Sequence, residues 1–248
     1  VYTRLAGHLN RLPAGFPSTE SGVEIRILKR LFTEEEAEIA QSLTMVPEPV
    51  SGIASRLGND EADLARALET MSRKGLVFRS SRGGQTFYMA AQFVVGIWEY
   101  HLNSLDEKLI SDVNEYLPHF MRKSWMKHDT KQLRVIPVSR EVTAEMTTMP
   151  YETAEEIIAA QSKIVVSDCI CRKENRMVGK GCDAPMEVCL SFGGGAYFYE
   201  ENGLGRSIDR DEALEILAKG REAGLVLQPG NSKKPVNICM CCGCCCQV

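Results

Sequence analysis

The chain has 248 residues, 44% of them hydrophobic, enough apolar material for one large core or two modest ones. A formal net charge of −4 argues against a general polyanion binder, because nonspecific nucleic-acid affinity rests on neutralising phosphates with Lys and Arg. No apolar run approaches the ~20 residues that span a bilayer and no basic-then-apolar leader opens the chain, so a cytoplasmic protein without membrane insertion is expected.

An N-terminal segment, residues 1–21, precedes a first domain expected over 22–105. Val23, Ile25, Ile27, Leu28 and Leu31 predict one helix, and Thr33-Glu34-Glu35-Glu36 is a capping box that starts a second through Ala37, Ile39, Ala40 and Leu43. After Pro47 and Pro49, a short helix over Ser51 to Leu57 ends at Gly58. Asn59 caps a longer one with Leu64, Ala67, Leu68 and Met71 on one face, terminated at Gly75. Leu76–Arg79 and Gln85–Met89 then flank Ser81-Arg82-Gly83-Gly84 as a hairpin. This order of helices and hairpin, with Ile53-Ala54-Ser55-Arg56-Leu57-Gly58 at the turn, resembles the winged helix-turn-helix domain over roughly residues 22 to 92. Such domains bind DNA, RNA or proteins. Here the third helix opens with Asp60, Glu61 and Asp63, which repel phosphates. Arg73, Lys74, Arg79 and Arg82 either grip a backbone or form a solvated surface, and docking or dimerisation is the favoured use.

Residues 106–160 read as a helical connector. Phe93–Tyr100 and Leu109–Met126 are aromatic-rich and predict helix, either as ordinary core or dimer packing or as a shield for a cofactor. His101, His119 and His128 lack metal-ligand spacing. A strand over Leu133–Val138 and a helix over Ala154–Ala160, capped by Thr153, follow. No nucleophile elbow, phosphate loop or dinucleotide fingerprint occurs, and Gly193-Gly194-Gly195 predicts a flexible turn. No catalytic residue is assigned, and an electron-transfer protein or a subunit of a redox complex is expected rather than a stand-alone enzyme.

Residues 161–248 hold all ten cysteines: a quartet at Cys169, Cys171, Cys182 and Cys189, and a tail at Cys239, Cys241, Cys242, Cys244, Cys245 and Cys246. Disulfide scaffolds suit small secreted chains, whereas a long cysteine-free stretch of ordinary composition precedes these, so metal or cluster binding is expected. Ile164-Val165-Val166 predicts a strand. If it continues, Cys169 and Cys171 share a face with attachment points about 6.5 Å apart. A tetrahedral zinc with bonds of about 2.3 Å needs thiolates about 3.8 Å from one another, so extended Cys-x-Cys favours a [4Fe-4S] cluster. Arg172, Lys173, Arg176 and Lys180 either offset cluster charge and contact the cofactor or its redox partner, or form a solvated loop. A helix starting at Asp209-Arg210-Asp211-Glu212 and stopping at Gly224 precedes a strand at Leu225–Leu227. That strand brings Asn237-Ile238-Cys239 back towards the first quartet. In the tail, Cys239, Cys242 and Cys245 reproduce ferredoxin Cys-x-x-Cys-x-x-Cys spacing, but the usual fourth cysteine and proline are missing. Six thiols in eight residues also suit zinc or copper(I), with an iron–sulfur site the favoured reading.

Leu12-Pro13-Ala14-Gly15-Phe16-Pro17, Leu31–Ala37 and the Cys169-Ile170-Cys171-Arg172 to Cys189 segment together make the chain similar to winged-helix plus [4Fe-4S] ferredoxin-like proteins of anaerobic microbes. The resemblance implies a redox role and one or two [4Fe-4S] clusters. Many such proteins continue into a ferredoxin segment after the cysteine-rich region, and this sequence, starting at Val1, is expected to be a piece of something longer. The expected fold class is therefore α+β: a winged helix-turn-helix domain joined by a helical connector to a small cysteine-rich α/β iron–sulfur domain. The expected function is carriage of single electrons between redox protein partners, with the winged helix used for docking, as a homodimer or a subunit of a larger complex. The alternatives are a redox-sensing winged-helix transcription regulator, with DNA as partner, and a zinc- or copper-thiolate interaction protein.

Overall fold

Residues 1–136 and 153–247 are described by the computed structural model, a mixed α+β chain with two antiparallel sheets. They belong to two units, Val1–Asp129 and Thr130–Val248. The stretch expected as a connector is divided between them, because its first helix packs inside the first unit and its second inside the other. Residues 137–152 lie outside the described residues, as does the end of the strand expected over Leu133–Val138.

In the first unit, helices α1 (Tyr2–Asn10), α2 (Val23–Leu31) and α3 (Glu34–Ala40) come first. The capping box at α3 is formed as its sequence predicts. Glu36 N–H donates to Thr33 Oγ1 at 3.2 Å and Thr33 N–H donates to Glu36 Oε2 at 2.9 Å. After a two-residue strand, β1 (Glu48–Pro49), α4 (Val50–Leu57) ends at Gly58, whose φ of +71° supplies the left-handed cap. Helix α5 (Glu61–Arg73) is capped by Asp60 rather than Asn59. The Asp60 carboxylate accepts from the N–H groups of Ala62 and Asp63, and its charge favours the helix N-terminus.

Strands β2 (Val77–Arg82) and β3 (Gln85–Ala90) form the predicted hairpin, with Gly83 and Gly84 both at positive φ, and the sheet order is β1-β3-β2. The apolar run from Phe93 is only partly helical. Phe93–Ile97 is a wide turn, in which Val94 is extended, Val95 has φ +35° and Gly96 φ 172°, and regular helix α6 covers only Trp98–Tyr100. Two β-branched residues followed by glycine are poor helix formers, and burial of Phe93, Val94 and Ile97 fixes the turn instead.

Helix α7 (Glu107–Lys123) packs on α2, with Arg26 reaching Asp112 and Glu115 at 3.2 and 2.6 Å. Its aromatic face continues a chain of rings. Phe16 stands 4.9 Å from both Phe93 and Tyr116, and Tyr116 leads to Phe120 and Trp125 at 5.9 and 6.0 Å. These rings are core. The Leu12–Pro17 motif threads into it: Phe16 N–H donates to Asn10 Oδ1, Ser124 Oγ donates to Ala14 O, and Tyr116 OH donates to Pro17 O. Gly15 has φ +74°, and a Cβ there would stand 2.1 Å from Ser124 Oγ, so this position requires glycine.

The second unit is a five-stranded antiparallel sheet of order β6-β4-β5-β8-β7 with helices against it. In chain order these are α8 (Ala154–Ala159), β4 (Ile164–Asp168), α9 (Ile170–Met177), β5 (Glu187–Phe192), α10 (Gly193–Glu201), β6 (Arg206–Ile208), α11 (Arg210–Glu222), β7 (Val226–Pro229) and β8 (Asn237–Cys241). Leu133 and Ile136 bridge to Gly230 and Leu227, extending the β7 edge. Alternation sorts the sheet. Ile164, Val166, Val188, Leu190, Phe192, Leu227, Ile238 and Met240 share one core with Ala154, Ile157 and Ile158 of α8 and Ala213, Ile216 and Leu217 of α11. The Gly193–Gly195 run, expected as a flexible turn, is the first turn of α10. Its glycines let the helix start directly from β5, where Phe192 N–H donates to Val236 O at 2.8 Å. Among the described residues no helix is long and apolar enough to cross a membrane.

Candidate metal centre

The topology brings one end of three strands together. Because β4 and β5 are antiparallel, the end of β4 at Asp168 lies opposite the start of β5 at Glu187. β8, antiparallel to β5, finishes at Cys241 at that same end. Cys169 follows β4, Cys189 lies on β5 opposite Ser167, Cys239 and Cys241 lie on β8, and the remaining tail turns back over the sheet end. With Ile238 and Met240 facing the core, Cys239 and Cys241 belong to the opposite face of β8, and Cys189 to that face of β5. All ten cysteines are free thiols.

Four of them converge tightly. The sulfurs of Cys182, Cys242, Cys244 and Cys245 all lie within 4.8 Å of one another. Cys182 Sγ is 3.9 Å from Cys242 Sγ and 3.6 Å from Cys245 Sγ, and Cys245 is 3.8 Å from Cys244. These separations match the edge of about 3.8 Å that four thiolates make around one ion at bonds of about 2.3 Å. Cys245 is buried and Cys244 is exposed, so the group opens to solvent on one side. Cys182 reaches it from the loop between α9 and β5. Gly181 packs that loop against α9, and a Cβ there would stand 2.4 Å from Arg176 Cγ.

The expected first quartet is therefore redistributed: Cys182 joins the tail. The extended Cys-x-Cys geometry expected at 169–171 does not form, because β4 ends at Asp168 and Cys169 is the N-cap residue of α9. Cys171 thus sits in the first helical turn, its side chain against those of Cys169 and Cys246, and Cys246 in turn meets Cys241. Asn237 Nδ2 donates to Cys239 Sγ at 3.7 Å.

Helix α9 clamps this assembly. Arg172 is 0% exposed, and its Nη1 and Nη2 donate to Pro185 O at 2.8 Å and Met240 O at 2.7 Å. Burial works against its charge, but attraction to Cys169, Cys242 and Cys182 outweighs that and raises its pKa. Asn175 Nδ2 donates to Cys171 O and to Cys245 O, and Arg176 Nη2 to Cys182 O. Of the four cations expected at the site, Arg172 and Arg176 face it. Lys173 lies 3.9 Å from Asp168, and Lys180 is exposed.

The thiols divide in acidity. Hydrogen bonding from the Cys171 thiol, opposed by burial and aided by the N–H groups of Arg172 and Cys171, holds Cys169 at about 7. Burial raises Cys242, but the Cys245 N–H, the Cys244 thiol and Arg172 bring it down to about 6. Neighbouring thiols and burial push Cys171 and Cys241 up, and burial first, then Cys182 and Cys244, push Cys245 up to about 12. Coordination to a cation would favour the thiolate at every ligand, whichever way its acidity is shifted here.

Glu174 and Gln247 are site residues that sequence reasoning missed. Glu174 is 0% exposed and accepts from Gln247 Nε2 at 3.0 Å, while its Oε2 has no hydrogen bond among the described residues; burial raises its pKa to about 7. A charged residue in a helix so rich in Arg, Lys and Glu reads as solvated, and nothing in its spacing marks it as interior.

Of the four expected phosphate-gripping cations in the first unit, three are neutralised locally, and the fourth, Arg82, is exposed at the end of β2. Arg73 and the buried Arg79 both pair with Glu69, and Lys74 pairs with Glu36 at 2.6 Å. His101 is buried with Nδ1 2.7 Å from Ile97 O, and His128 Nε2 lies 3.3 Å from Ser124 Oγ, both structural arrangements. Comparison of the chain with protein-family models, curated proteins and solved structures finds no match.

Proposed function

We propose that the second unit is an iron–thiolate electron carrier and that the first unit, read as a winged helix, docks it to a partner. The observation that carries this reading is the gathering of free thiols at one sheet end around a fully buried arginine. Soft thiolates select iron–sulfur clusters, zinc or copper(I) over hard cations, and a structural zinc needs only four of ten. An iron–thiolate group held by these cysteines would supply a one-electron redox couple, reduced by one partner and reoxidised by another.

The chain's own residues do the rest. Cysteines hold the group, Arg172 offsets the negative charge of clustered thiolates, and the clamps of Asn175 and Arg176 fix the loops. The exposed side at Cys244 gives a partner a short approach.

Anaerobic iron and acid-labile sulfide counting with electron paramagnetic resonance tests the reading. Iron, sulfide and a signal that appears or disappears on one-electron reduction are expected. Zinc without sulfide would end it.

That zinc outcome is the second reading, and the 3.6–3.9 Å sulfur separations favour it at the compact quartet. A DNA-binding redox regulator is less well supported, because Glu69 and Glu36 already occupy Arg73, Arg79 and Lys74. Unaltered mobility of duplex DNA at low salt is expected.

A further inference from the structure

In the first unit, α3, α5 and the turn after α4 enclose a groove of about 500 Å³. Its floor is apolar: Leu64 is buried, and Ile39, Leu57 and Ala67 are half-buried. Its rim is acidic, with exposed Glu35 and Glu38 on α3 and exposed Asp63 on α5. We propose that this groove docks an amphipathic helix of a partner protein, with apolar side chains on the floor and Lys or Arg against the rim. The proposal rests on the reading of the first unit as a docking module, and it names the chemistry of what docks there.

Shape points to a helix. Glu35 is followed three and four residues on by Glu38 and Ile39, and Ala67 follows Leu64 and Asp63 by the same steps, so each helix gives the groove one continuous face. The volume is that of a ligand cleft and takes more than one anchoring side chain. Every lining residue comes from a helix or a turn, so no sheet edge is offered to the backbone of an occupant. The occupant must then satisfy its own N–H and C=O groups, which a helix does and an extended peptide does not.

Charge selects the partner. Glu38 pairs with Arg4 at 3.3 Å and Asp63 pairs with Arg66, but all four side chains are between 63% and 73% exposed. Such pairs contribute little and exchange readily for the cations of a partner. Glu35 has no ion pair among the described residues, and exposed Glu34 and Glu61 add charge of the same sign at the starts of α3 and α5. This field attracts Lys and Arg and repels phosphate, which excludes nucleic acid as the occupant. The floor separates the groove from an ordinary solvated acidic surface, because Ile39 and Leu57 lose their remaining water only when apolar groups cover them.

The test uses the full chain and a fluorescent synthetic peptide of about 18 residues, long enough to be helical, with leucine on one face and lysine on the other. A peptide of the same composition in shuffled order is the control. Fluorescence anisotropy should show saturable binding of the amphipathic peptide and weaker binding of the shuffled one. Glu35→Lys combined with Glu38→Lys should weaken binding about tenfold or more. Glu215→Lys combined with Glu222→Lys, exposed on α11 in the second unit and equal in net charge, should leave it unchanged. Ala67→Tyr, with Ala67→Met as a milder filler, should obstruct the groove and weaken binding with every acid in place, and thermal unfolding checks that each variant is folded. No binding, equal losses from the two charge-reversed variants, or full binding to both filled variants would overturn the proposal, the last two by showing adsorption to acidic surface alone. So would a dimer in sedimentation that Glu35→Lys with Glu38→Lys separates, because a second copy would then be the occupant. Metal and sulfide counts should be the same in all these variants, so failure of the groove leaves the electron-carrier reading standing. Zinc without sulfide in the unaltered chain ends that reading and leaves the groove standing.

Discussion

The two units differ in the groups they gather: a carboxylate shared by two arginines in the first, a cluster of thiols in the second. In the first, Arg79, buried beside Tyr88, is satisfied by Glu69, and Lys74 by Glu36. Burial pushes Glu69 up, yet hydrogen bonds from Arg79 and Arg73 hold it below its ordinary value, as befits a closed network. In the second unit the fully buried Arg172 donates to the carbonyls of Pro185 and Met240 rather than to a carboxylate, and thiols crowd to within 4 Å of one another; among the described residues, buried polar atoms without a hydrogen bond occur in both units, as at Ser72 and Trp98 in the first and Glu174 in the second. A closed network of charges stabilises, whereas four soft donors this close together could hold a metal ion.

The largest expected effect is at Arg172. Arg172→Met removes the cation from the centre of the cysteine assembly and leaves the carbonyls of Pro185 and Met240 unpaired, so a loss of about 3–5 kcal/mol is expected. Thermal unfolding and metal counting should both show it. An unchanged melting temperature with full metal content would mean that the buried charge has no role.

Gly15→Ala forces alanine into a left-handed conformation against Ser124, with an expected cost of about 1–3 kcal/mol in chemical denaturation. Metal content should not change, and Ser124→Gly should recover part of the loss.

Glu69→Gln leaves the buried Arg79 without its counter-charge and should cost about 1 kcal/mol near neutral pH. The native carboxyl has a depressed pKa, so its contribution is full above the ordinary value of 4.5 and lost as pH falls through the native value. Acid titration of unfolding should therefore show Glu69→Gln converging with the unaltered protein at low pH. A constant gap would mean the carboxylate charge is irrelevant. Smallest is Arg73→Ala at an exposed i,i+4 pair, where a few tenths of a kcal/mol at most and unchanged metal binding are expected. Loss of metal in that variant would show the two units to be coupled.

Local signals were legible where they act through the backbone. The Thr33 and Thr153 caps, the Gly58 stop and the Gly83-Gly84 hairpin follow from spacing, since each satisfies groups within a few residues. Phe93–Tyr100 misled, because its apolar pattern fits a helix while Val95 and Gly96 adopt φ values set by packing. At the site, the residue types were legible but the partition was not. Spacing groups Cys182 with Cys169, Cys171 and Cys189, whereas the antiparallel return of β8 brings the tail to it from sixty residues away. Only strand order decides that.

The most direct test is native mass spectrometry of anaerobically purified protein, compared with the same sample unfolded in acid. Metal and sulfide held by thiolates should appear as excess mass in the folded chain and vanish on unfolding. Equal masses, each reduced by the hydrogens lost in thiol pairing, would contradict a metal–thiolate protein.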